Sequence, residues 1–140
     1  MDRQRKEGGA AARRNLFEGI PEELPEELMT ILATGNGVTI ERIVSKGQAS
    51  PEGFWYDQET HEWVLVVQGE ARLRFEGEEE IHLRAGDHLL IPARARHRVT
   101  WTPEDRETIW VAVHFSLAGR VGAAGPELEG QVPGGAADWP

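Results

Sequence analysis

The sequence has no cysteine, which excludes a disulfide framework, a cysteine zinc site, an iron–sulfur cluster and a thiol nucleophile. Long apolar runs are missing too. None exceeds five residues, as in Trp63–Val67, against the roughly 20 that a membrane helix needs. The basic start, MDRQRKEGGAAARR, has no apolar segment behind it and does not read as a secretory signal. The expectation is therefore a cytoplasmic protein with no membrane partner. Positive charge is scarce as well: 15 Lys and Arg stand against 24 Asp and Glu, a formal net charge of −9. Binding to nucleic acid relies on a basic face that displaces counterions from phosphates, so no nucleic-acid partner is expected.

What is present is 140 residues, enough for one domain with a single core. Its charge is uneven. Residues 1–14 are basic and residues 119–140 mildly acidic, so 15–118 carry more than the whole net negative charge and nearly every large apolar residue. Both ends are rich in Gly and Ala, and the C-terminal one also in Pro, and neither has hydrophobic periodicity. They read as a disordered basic arm (1–14) and a disordered tail (119–140) flanking one domain at 15–118.

Within that domain, Pro21–Ala33 reads as a short N-terminal helix. Pro25 suits a first-turn position, Glu26 and Glu27 suit the positive end of the dipole, and Leu28, Ile31 and Leu32 share a face. Gly35 and Gly37 would stop it. Strand patterns follow at Val38–Val44, Glu62–Gln68, Ala71–Phe75, Ile81–Arg84, His88–Ile91, His97–Trp101 and Thr108–Phe115, broken by Gly and Pro signals. Many short strands with frequent turns and no helices between them predict an all-β sandwich or barrel.

Two segments carry a resemblance. One is Gly86-Asp-His-Leu-Leu-Ile-Pro92-Ala-Arg-Ala-Arg-His97; the other is Glu62-Trp-Val-Leu-Val-Val-Gln-Gly69, and about 16 residues separate them. Together they resemble the paired motifs of the cupin superfamily, whose fold is the RmlC-like jelly-roll barrel, a double-stranded β-helix. The match departs at Arg94, usually Gly, and at Trp101, usually Asn. Tyr56 and Gln58 stand where cupins place His-x-His. The strings GFWYDQ and HEWVLVVQGEARL look like those of small single-domain bacterial cupins.

The resemblance implies that Glu62 and His97 turn into the barrel mouth, joined by Tyr56 and Gln58. Such nitrogen and oxygen donors suit one divalent ion (Fe, Mn, Ni or Zn). Two other readings of the same residues stay open: a hydrogen-bonded Glu–His pair that only holds the barrel together, and metal-free acid/base chemistry by Glu62, His97 and Tyr56. Strand alternation puts Val64 on the Glu62 face, and Val99 and Trp101 on the His97 face. These three, with His61 at the rim and His114 on the last strand, are expected to line the pocket. His82 and His88 are expected on the surface or between sheets, and Arg94, Arg96 and Arg98 on a solvated edge.

The expected function is binding of a small oxygen-bearing molecule, with the ion, as a sensing module or as an enzyme. The enzyme classes in view are oxygenase, isomerase, lyase and a metal-free epimerase. The outer face Trp63, Leu65 and Val67 suggests a homodimer.

Overall fold

The computed structural model describes residues 12–116; the ends of the expected basic arm and the expected tail lie outside them. Eight strands follow in order: β1 (Leu28–Gly35), β2 (Val38–Ser45), β3 (His61–Gln68), β4 (Glu70–Phe75), β5 (Glu80–Arg84), β6 (His88–Ile91), β7 (His97–Trp101) and β8 (Thr108–Phe115). They form two antiparallel sheets, ordered β1-β2-β8-β3-β6 and β5-β4-β7. The fold is all-β, with no helix among the described residues and hence none long and apolar enough to cross a membrane.

The seven strands expected from β2 onward form within one residue of their expected ends. Alternation then builds the core. Val64 and Val66 on β3, Ala71 and Leu73 on β4, Leu83 on β5, Leu89 and Ile91 on β6, and Trp110 and Ala112 on β8 pack between the sheets. Gly69 permits the sharp turn from β3 into β4. Its φ is +85°, and a Cβ there would lie 2.6 Å from the Glu107 carbonyl oxygen.

The N-terminal helix does not form. Leu28–Gly35 is instead β1, paired antiparallel with β2 from Leu28↔Val44 to Gly35↔Val38, and residues 16–27 run through turns and bends. Gly35 and Gly37 close this hairpin rather than stop a helix; Gly37 takes φ +75° in the turn. The physical reason is tertiary override. A helix this short has little stability of its own, whereas β2 is a ready partner strand that pairs with β1 in register from Leu28 to Gly35, apart from a bulge at Leu32.

Candidate functional site

Two backbone bonds tie Tyr56 to His97: Tyr56 N–H donates to the His97 carbonyl at 2.7 Å and His97 N–H to that of Tyr56 at 3.2 Å. This bridge brings the 54–58 segment against β7 and puts Tyr56 and Gln58 beside the second motif. The Arg94 N–H donates to the Gln58 carbonyl at 2.7 Å. Arg94, at the departure from the cupin Gly, adopts a left-handed φ of 69° to make that turn, a strained conformation for a residue with a Cβ.

Tyr56, Gln58, Glu62 and His97 all line one cavity of about 180 Å³, together with Val64, Val99 and His114. Glu27, Met29, Ile43, Leu73, Ile91 and Trp110 complete its wall. It is smaller than the roughly 300–1,000 Å³ of pockets for drug-sized ligands.

Glu62 is 8% exposed and His97 4%. The His97 Nδ1 is 2.8 Å from the Ala95 carbonyl, an acceptor only, so Nδ1 carries the proton and Nε2 presents its lone pair. That Nε2 lies 3.8 Å from Glu62 Oε1. His114 is the cross-strand partner of Glu62, with its Nε2 3.9 Å from Glu62 Oε2 and 2.9 Å from Glu41 Oε2. His114 is therefore paired with Glu41. Glu62 sits between two imidazoles, beyond hydrogen-bond distance of either.

The electrostatics follow from burial. Burial pushes the Glu62 carboxyl above its usual range; His114 opposes this, while Glu41 and Glu27 add to it. Burial also holds His97 below the usual imidazole range, partly offset by the Ala95 carbonyl. Tyr56 is pushed up by burial and by the charges of Glu27 and Glu62, so its phenol stays protonated. Much of Glu27 is open to solvent, yet the concave mouth around its carboxyl raises its pKa as well.

Two expected lining residues do not reach the cavity. His61 lies on the opposite face of β3, buried against the Phe115 ring, and its Nδ1 accepts the Ala93 N–H at 2.9 Å. Trp101 is turned away by a bulge. Val99 pairs with Leu73 but Trp101 with the adjacent Arg72, so Thr100 is the extra residue and the alternation slips by one. Trp101 is consequently 37% exposed, under the Arg72 guanidinium at 5.2 Å.

His82 pairs with Glu70 at 2.6 Å and His88 packs on Trp63, both outside the cavity. Arg94 and Arg96 reach Asp57, Glu59 and Glu76, and Arg98 binds the Ser50 and Pro51 carbonyls. Arg94 and Arg96 are exposed, as expected of a solvated edge, while Arg98 is partly buried against the 50–51 loop.

Sequence reasoning missed Glu41 and Glu27. The signal for Glu41 was present: on β2 it alternates with Ile43, a cavity residue. Glu27 was hidden because a helix reading placed it in a first turn.

A divalent ion can be tested against this donor set. Among the described residues, no group of three or more His, Cys, Asp or Glu is arranged to hold one. An ion would need the amide of Gln58 as its third donor. Gln58 Oε1 is buried with no hydrogen-bond partner, as a vacant oxygen ligand would be. Gln58, the open Nε2 of His97 and the unbonded carboxylate of Glu62 line one cavity, and these donor types are ones a divalent ion accepts.

No curated protein matches this chain. Among solved structures, a protein of Ralstonia eutropha JMP134 provisionally named a mannose-6-phosphate isomerase is 45% identical, covering 76% of this chain and 100% of its own, with a TM-score of 0.74. A cupin superfamily protein of Desulfitobacterium hafniense DCB-2 shares the fold at 21% identity (69% and 83% covered, TM-score 0.57). The DMSP lyase of Ruegeria pomeroyi DSS-3 does so at 16% identity (68% and 49% covered, TM-score 0.56). The cupin-domain family pattern matches residues 41–114, from the Glu41 strand to His114. With two antiparallel sheets enclosing a cavity between the paired motifs, and the family pattern spanning more than half of its residues, this chain belongs to the cupin family.

Proposed function

We propose that this cupin binds a small oxygen-bearing molecule in its barrel cavity, together with one divalent ion held by His97 Nε2, the Glu62 carboxylate and Gln58 Oε1. The observation that carries the reading is the state of Glu62. It is a buried carboxylate with no hydrogen bond among the described residues, facing an imidazole nitrogen with an open lone pair. Buried charge of this kind calls for a partner, and the two imidazoles of the wall nearest to it stay at 3.8 and 3.9 Å, beyond hydrogen-bond distance. An ion bound there would act as a Lewis acid toward a ligand oxygen. Iron, manganese, nickel and zinc all accept such mixed nitrogen and oxygen donors. Tyr56, kept protonated, serves as a hydrogen-bond donor to the ligand.

A second reading uses the same residues without an ion. The Glu62 carboxyl, pushed up by burial, suits a general base, and Tyr56 a proton donor, as an isomerase or epimerase requires. The name of the Ralstonia relative leans toward isomerisation.

Elemental analysis of protein purified without chelator decides between the two. About one ion per chain supports the first reading, and none supports the second. A substrate screen then separates enzyme from sensing module, since only the enzyme turns its ligand over.

A further inference from the structure

The wall of the cavity is acidic in an unbalanced way. Glu27 and Glu62 line it and Glu41 lies behind His114, yet among the described residues no Lys or Arg does. His114 sits on Glu41 at 2.9 Å, and both it and His97 stand 3.8–3.9 Å from Glu62, so neither imidazole is paired with Glu27. His97 spends its Nδ1 proton on the Ala95 carbonyl. An ion taking Glu62 would still leave Glu27. One Glu27 oxygen accepts the Ser45 hydroxyl at 3.1 Å; the other has no cation beside it among the described residues. Glu27 and Tyr56 also border a second groove, lined by Pro25, Gln48 and Pro51.

A second observation points to a ligand. Trp110 lines the cavity and is only 4% exposed, but its indole Nε1 has no acceptor. A buried N–H without a partner is costly in a finished structure. The site thus offers a donor that lacks an acceptor and a rim carboxylate that lacks a cation.

We propose that the ligand of this cavity carries a cationic amine and a neutral oxygen close together, the ammonium paired with Glu27 and the oxygen accepting from the Trp110 indole. The inference rests on the small-molecule reading above and narrows it. A phosphomonoester, as in a phosphorylated sugar, is disfavoured in the ammonium's place because its charge would meet Glu27 with no side-chain cation among the described residues to receive it.

The test compares three probes of similar size on the full chain by titration calorimetry: 3-amino-1,2-propanediol, glycerol and glycerol 3-phosphate. The amine is expected to bind about tenfold tighter than glycerol, the size of one charge-assisted contact, with the phosphate weakest. Glu27→Gln should bring amine and glycerol level, while the exposed Glu78→Gln should keep the preference. Circular dichroism confirms that both variants fold. Equal binding of amine and glycerol, or tighter binding of the phosphate, overturns the inference and leaves the function reading intact. No binding of any probe at tens of millimolar also overturns it, whereas the ion content judges the function reading separately.

Discussion

Burial holds Glu62 and His97 each in its less charged form, and the two therefore pull stability in opposite directions with pH. Glu62 has a folded pKa above its ordinary 4.5. Its stabilising contribution is complete below 4.5 and is lost as pH rises through the raised value. In ion-free protein, Glu62→Gln is expected to raise stability at pH 7 by about 1–2 kcal/mol and to change little at pH 4. His97 has a folded pKa below its ordinary 6.5. Its contribution is present above 6.5 and is lost as pH falls through the lowered value. Between pH 7 and 5 the wild type should lose stability that His97→Gln keeps. Thermal unfolding across pH measures both, and a Glu62→Gln gain that persists at pH 4 would show that charge is not its cause.

At the scale of elements, the turn between β3 and β4 holds the first motif against the second sheet. Gly69→Ala adds a Cβ into the Glu107 and Thr108 backbone at a positive φ, and is expected to cost about 2–4 kcal/mol in urea unfolding. Gly77 has a similar φ of +80° but open space around it. Gly77→Ala should cost about 1–2 kcal/mol, from the backbone alone. Equal losses would mean that the contact at Gly69 relaxes.

The strands from β2 onward were legible because alternation and turn residues agree there. Glu62, His97, Tyr56 and Gln58 were placeable from motif spacing, and the strand phase of Val64, Val99 and His114 carried them to the same cavity. Three features were not legible. The 21–33 segment has helical spacing and acidic first-turn residues, but only tertiary pairing reveals it as β1. Trp101 obeys simple alternation until the bulge at Thr100, which depends on the partner strand. The Glu41–His114 pair joins residues 73 apart in sequence, and no local pattern announces it.

At the scale of the whole molecule, β1 is the exposed edge of the larger sheet, and its apolar Met29, Ile31 and Leu32 are open to solvent, Ile31 at 63%. Trp63, Leu65 and Val67, on the face expected to pair, are half-buried. A bare eight-residue edge is a template for its own copy across a two-fold axis. Light scattering is expected to give a dimer at micromolar concentration, and Ile31→Lys a particle near 15.6 kDa. A monomeric wild type would show that this edge stays unpaired.

The joint holding of one ion by His97, Glu62 and Gln58 is tested most directly by metal content in single variants purified side by side without chelator. Wild type and His82→Ala should each hold about one divalent ion per chain. His97→Ala should hold almost none, because an imidazole is the strongest donor of the three. Gln58→Ala should fall between. Full ion content in His97→Ala, with the fold intact, would contradict the site as described.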